Sequence, residues 1–100
     1  MCGEVRYWIY MMSNVSGNVL YIGVTNNLYR RFLQHYKGEM EGFTKRYKCH
    51  CLVYYEEFSD IRIAIAREKE LKGWRRERKE ELIHFINPTR LDFAKDWGWI

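Results

Sequence analysis

The sequence is poor in chain breakers and in signals for export or membrane insertion. Proline occurs once, at Pro88, so long stretches are free to form regular elements. No apolar run reaches the roughly 18 residues of a spanning helix, and the opening MCGEVRYWIY has no basic region ahead of an apolar one. The expectation is a protein of the cytoplasm that neither crosses a membrane nor is exported. Cysteines are three, an odd number, with Cys49 and Cys51 one residue apart and Cys2 remote. That spacing does not match the CxxC pairs of a zinc site, so partly buried free thiols in a reducing compartment are expected. Internal repeats and low-complexity segments are absent.

What is present is apolar and aromatic mass. With 47% hydrophobic and 17% aromatic residues in a chain of 100, one compact domain spanning 1–100 with one core is expected, not a disordered chain. The net charge of +4 permits an anionic partner without demanding one. Its distribution is more informative. Between Asn26 and Lys48 the bases Arg30, Arg31, Lys37, Lys45, Arg46 and Lys48 face only Glu39 and Glu41, a surplus of four. From Ser59 to Glu81 the charges nearly balance, as on a solvated helix face laced with i,i+4 pairs. The first window is the better candidate for contacting phosphates.

The pattern of residues predicts the elements. VRYWIYMM and VLYIGV, joined by SNVSGN, read as a β-hairpin. Thr25, Asn26 and Asn27 are capping types ahead of LYRRFLQHYKG, whose stripe of Leu28, Phe32 and Tyr36 predicts a first helix ending near Gly38. GEMEGFTKRYK reads as a basic loop, with Met40 as core filler, and CHCLVYYEEF as a third strand covered on both faces. Ser59 caps a second helix, DIRIAIAREKELKGW, and RRERKEELIHFI forms a third, stopped by Asn87 and Pro88. The expected fold is an α/β sandwich: a three-stranded, mostly antiparallel sheet, hairpin plus third strand, flanked by about three helices. The tail, TRLDFAKDWGWI, carries enough Trp and Phe to dock on the body.

Two helices carry charge where apolar residues are expected. In the second, Ile61, Ala64, Ile65 and Leu71 gather on one arc and Glu68 falls inside it, although a carboxylate aimed at a core is costly unless paired or bound to a metal. On the pattern alone a structural pair with a neighbouring lysine or arginine is the plainer account, and catalysis the second. In the first, Arg31 and His35 lie one turn apart beside the apolar stripe, where solvated rim residues are the plain explanation.

The ordered motifs then become specific. WIY at Trp8 to Tyr10, followed by YIG at Tyr21 to Gly23, resembles the paired signature of the GIY-YIG nuclease superfamily, with Trp8 in place of the first glycine. NLYRRFLQH is similar to that family's first helix, with Arg31 eight residues after Gly23 and His35 four further on. AIAREKELKGW is similar to the segment that carries its essential glutamate, here Glu68. FTKRY and INP resemble the small stand-alone branch, which is itself similar to the N-terminal nuclease domain of the bacterial excision-repair enzyme. The resemblance spans roughly Arg6 to Thr89.

It implies an endonuclease that hydrolyses phosphodiester bonds in DNA, branched or damaged, in repair or recombination, with one divalent cation, Mg²⁺ or Mn²⁺. Glu68 would supply the hard oxygen ligand. Arg31 would grip a phosphate oxygen with its planar donors. Tyr10 would orient and deprotonate the attacking water, with Tyr21 assisting, which requires nearby cations to lower a phenol pKa of about 10. His35 would relay a proton or fix a phosphate, Asn87 would tie the third helix into the site, and Gly23 would permit a close approach. Lys45, Arg46 and Lys48 would contact the phosphate backbone. Such a domain recognises nucleic-acid shape weakly, dimerises, or is delivered by another protein. The alternative is a nucleic-acid-binding module on the same fold with little or no cleavage; a purely structural or protein-interaction domain ranks last.

Overall fold

A computed structural model describes residues 5–39 and 42–100; Cys2 and Met40 lie outside them. Eight elements follow in order: β1 (Tyr7–Ser13), β2 (Leu20–Thr25), α1 (Leu28–Tyr36), α2 (Phe43–Tyr47), β3 (Cys51–Phe58), α3 (Ile61–Lys72), α4 (Arg76–Ile86) and α5 (Phe93–Asp96). β1 is central in a sheet of order β2-β1-β3, antiparallel to both neighbours. The expected hairpin, third strand and three long helices are present. The basic loop and the tail add the short helices α2 and α5.

Alternation along β1 divides the core into two layers. Ile9 and Met11 face Leu71 of α3 and Ile83 of α4, while Tyr10 and Met12 face Leu28 and Phe32 of α1 and Ala94 of α5. Helices therefore cover both faces of the sheet, as the two-faced apolar centre of CHCLVYYEEF leads one to expect. Cys49 is buried and Cys51 half-buried, both as free thiols. Among the described residues no helix is long and apolar enough to cross a membrane.

Helix starts follow cap chemistry. Asn27 opens α1, its side chain accepting from the Arg30 amide. α3 is capped by Asp60, whose carboxylate accepts from the Arg62 amide, and not by Ser59 as the sequence suggests. The buried arc of α3 also runs differently from the expected one. Ala64 and Leu71 are sealed, whereas Ile61 and Ile65 are more than one-third exposed, because the helix lies with its Ala64-Glu68-Leu71 line on the sheet.

One irregularity in β3 determines the role of Asn87. Met11 pairs with Tyr54 but Met12 with Leu52, so Val53 is an extra residue, a β-bulge. On this edge strand its carbonyl accepts from the Asn87 side-chain amide at 3.0 Å. The same side chain donates to the Leu91 carbonyl at 2.9 Å and accepts from the Leu91 amide at 2.8 Å. Asn87 thus ties the end of α4 to the bulge and to the start of the tail. With Asn87 3% exposed, Asn87→Ala strands the bulge carbonyl and should cost about 2 kcal/mol, read as a lowered urea midpoint with unchanged slope.

Candidate active site

Tyr10 sits mid-strand in β1, opposite Gly23 on one side and Tyr55 on the other. Its side chain is 1% exposed and lies flat over β2. That course requires glycine opposite: a Cβ at position 23 would stand 2.6 Å from Cζ of Tyr10 and nearer still to its hydroxyl. The close approach permitted by Gly23 is therefore made by a phenol of the chain itself.

α1 brings Arg31 and His35 above this ring. His35 is buried at 1% exposure, and its Nε2 shares a hydrogen bond of 2.8 Å with the Tyr10 hydroxyl. Tyr21, on the same face of β2, closes a triangle of rings, its centroid 6.2 Å from Tyr10 and 5.2 Å from His35, with Tyr10 and His35 5.6 Å apart. Sequence spacing placed Arg31 and His35 at the edge of the apolar stripe; the structure puts His35 wholly inside, where its ring nitrogen has a partner.

Burial sets the charge state of this cluster. It pushes the Tyr10 phenol well above its ordinary value of 10, helped by the Tyr21 phenol and the Glu68 carboxylate, and Arg31 pulls only partly the other way. The lowered phenol that a general base requires is not what the fold supplies: desolvation outweighs the cation. Burial also holds His35 down at about 4, with Arg31 adding repulsion. At neutral pH the pair is an un-ionised phenol beside an un-ionised imidazole. Arg31 and Glu68 both act on the Tyr10 phenol, so β1, β2, α1 and α3 each contribute a chemically active side chain to one locality.

Glu68 is only 16% exposed in its side chain and pairs with Lys72 Nζ at 3.4 Å, one turn along α3. Lys72 is a functional candidate that the sequence reading missed, although its i,i+4 spacing from Glu68 was visible. With Lys79, Leu20, Tyr21 and Ile22 it lines a pocket of about 280 Å³ at the β2 edge. Among the described residues no three His, Cys, Asp or Glu side chains gather as a cage. A single half-buried carboxylate beside phenolic oxygens suits a hard cation that keeps its waters, and gives no footing to a soft one.

Other expected residues lie apart from this cluster. Lys45 and Arg46 are exposed on α2, and Lys48 is exposed just after it with φ of 54°. They gather beyond the C-terminal end of α1, where Lys45 approaches Gly38. Asn87 makes its bonds to Val53 and Leu91, so its role in the structure is to hold the fold.

The His35 shift has a signed consequence. The unfolded chain binds a proton near pH 6.5 that the folded chain refuses until about 4. Stability from this group is therefore complete above about pH 6.5 and falls as pH drops toward 4, by on the order of 3 kcal/mol. Urea unfolding at about pH 7 and about pH 5 should show about 2 kcal/mol of this loss, and His35→Gln should flatten that part of the profile.

Comparison with known proteins agrees with the geometry. The family model described as the GIY-YIG catalytic domain matches residues 6–81. A UPF0213 protein of Staphylococcus haemolyticus is 33% identical over 78 residues, covering 78% of this chain and 94% of the relative. One of Natronomonas pharaonis is 34% identical over 77 residues, covering 77% and 89%. The solution NMR structure of a UPF0213 protein from Bacillus halodurans superposes with a TM-score of 0.57 at 24% identity, covering 90% of this chain and 95% of that one; it supports the fold. A WIY-YIG strand pair followed by a helix bearing Arg31 and His35 and a later helix bearing Glu68 has one reading in common with all of these: the chain belongs to the GIY-YIG nuclease superfamily, alongside the UPF0213 proteins.

Proposed function

We propose that this protein is an endonuclease that hydrolyses phosphodiester bonds in DNA, branched or damaged, with one divalent cation, Mg²⁺ or Mn²⁺, at Glu68. The observation that carries the proposal is the gathering of Tyr10, Arg31, His35 and Glu68 from three separate segments around one buried hydrogen bond. A bound cation supplies Lewis-acid stabilisation of phosphoryl oxygens.

The remaining chemistry belongs to side chains. Arg31 grips a phosphate oxygen and offsets charge in the five-coordinate transition state. An anionic phosphodiester beside Arg31 cancels the repulsion that helps hold His35 down, which makes the imidazole a better proton acceptor at the moment substrate arrives. Tyr10 then serves as the link between water and His35: as the water oxygen bonds to phosphorus its proton passes to the Tyr10 oxygen while the Tyr10 proton passes to Nε2, and the scissile P–O bond breaks, its leaving oxygen taking a proton from solvent. This removes the need for a free phenolate in a site that strongly disfavours one. Tyr21 orients the same water. With Glu68 the residue that would hold the cation, Lys72 would contact the phosphate strand, and Lys45, Arg46 and Lys48 would extend that contact without reading bases.

The test is cleavage of linear, flapped and branched DNA with and without Mg²⁺ or Mn²⁺. Glu68→Ala should abolish metal-dependent cutting, and Arg31→Ala should lower the rate by about 10²–10³-fold, the range seen when one transition-state donor is removed. Tyr10→Phe should retain the fold and DNA affinity while losing turnover. Salt-sensitive binding that leaves every substrate intact would instead establish the binding-module alternative.

A further inference from the structure

The tail beyond the family match builds a second site. Trp97 and Trp99 fold back against the α1 face of the sheet, and with Trp8, Tyr29, Tyr55 and Asn26 they line a pocket of about 450 Å³. Its walls are aromatic and mutually braced: Trp97 meets Trp99 edge-on at 4.9 Å and Tyr55 at 5.4 Å, and Trp99 meets Tyr29 at 5.1 Å. Much of this surface is open, with Tyr29 48% and Trp97 38% exposed. Trp8 is the residue that replaces the first glycine of the signature, so the departure from the family pattern contributes one wall.

The chemistry of the lining selects a ligand class. Among the described residues no charged side chain lines the pocket, so neither a phosphate nor an ammonium group is matched by them. Flat π-surfaces with a carboxamide from Asn26 at the rim suit a planar heteroaromatic ring whose edge carries donors and acceptors. The volume lies within the range of small-ligand pockets. Trp8 and Tyr10 lie on the same face of β1, two residues or about 7 Å apart. Along α1, Leu28 lines the pocket, while His35, two turns further along the same face of the helix, meets Tyr10 and Tyr21. Arg30, which follows Tyr29 of the lining in the chain, is exposed.

We infer that this pocket receives an unpaired nucleobase of the DNA strand, stacked between Trp8, Tyr55 and the tail tryptophans, so that the protein prefers substrates with single-stranded nucleotides near the cleaved bond. The inference rests on the nuclease reading for its substrate, but its test does not depend on cleavage.

Binding is measured without divalent cation, by polarisation of a labelled single strand of about twelve nucleotides, within the footprint of small single-strand binders. Competitors are the same strand with abasic sites and a blunt duplex. Abasic replacement keeps every phosphate and removes only bases; it should weaken binding about tenfold, the scale of one base–aromatic stack, and bound strand should quench tryptophan emission. Trp97→Ala and the separate surface variant Tyr29→Ala should each abolish the preference for single strand while leaving duplex binding unchanged. Equal affinity for the abasic strand, or an intact preference in both variants, overturns the inference. A protein that shows the preference yet cuts nothing with Mg²⁺ or Mn²⁺ refutes the nuclease reading and leaves the pocket assignment standing.

Discussion

The hydrogen bond between Tyr10 and His35 is the constraint on which the site depends. It demands a phenol lying flat across the neighbouring strand, and that is possible only because position 23 has no side chain. It also demands a helix that begins close after β2 and turns His35 inward, which the Asn27 cap and the Leu28-Phe32 stripe arrange. The YIG motif and the first helix are thus one mechanical unit: strand for the glycine, helix for the partner of the phenol. The central position of β1 buries the pair on both flanks and fixes its dielectric surroundings.

That burial governs the chemistry. A phenol held protonated and an imidazole held unprotonated form a neutral pair in a locality that also contains a guanidinium and a carboxylate. The pair itself stores no ionised base. Of the two causes that hold the imidazole down, burial is the larger and Arg31 the smaller, so an anion beside Arg31 would raise its proton affinity only in part. The Glu68–Lys72 contact of 3.4 Å is a partly exposed ion pair, of the kind that holds its partners only weakly.

The periphery is organised around the same sheet. The bulge at Val53 lets β3 present Val53 and Tyr54 to one layer while Leu52 faces the other, and the Asn87 side chain donates to the Val53 carbonyl. From Asn87 the chain turns through Leu91 into α5, where Asp92 accepts from the Leu52 and Ala94 amides. One asparagine therefore connects the bulge to the aromatic tail, and the tail in turn covers the α1 layer and forms the walls of the pocket beside Trp8.

The sequence by itself determined the elements that have strong local periodicity or punctuation: the hairpin around SNVSGN, the capped first helix, the two-faced third strand, and the signature positions Tyr10, Tyr21, Arg31, His35 and Glu68. These are encoded locally, by strand alternation, cap chemistry and motif spacing. Three things were decided only by tertiary structure. Desolvation reversed the expected direction of the Tyr10 shift, because a pKa depends on everything packed around a group and a list of nearby charges omits the solvent that is lost. Ile61 and Ile65 were left exposed and Glu68 half-covered, because a helix chooses its buried face by how it docks on the sheet. Trp97 and Trp99 became walls of a pocket with Trp8, some ninety residues earlier in the chain, because no local pattern reports which distant strand end a short aromatic tail will meet.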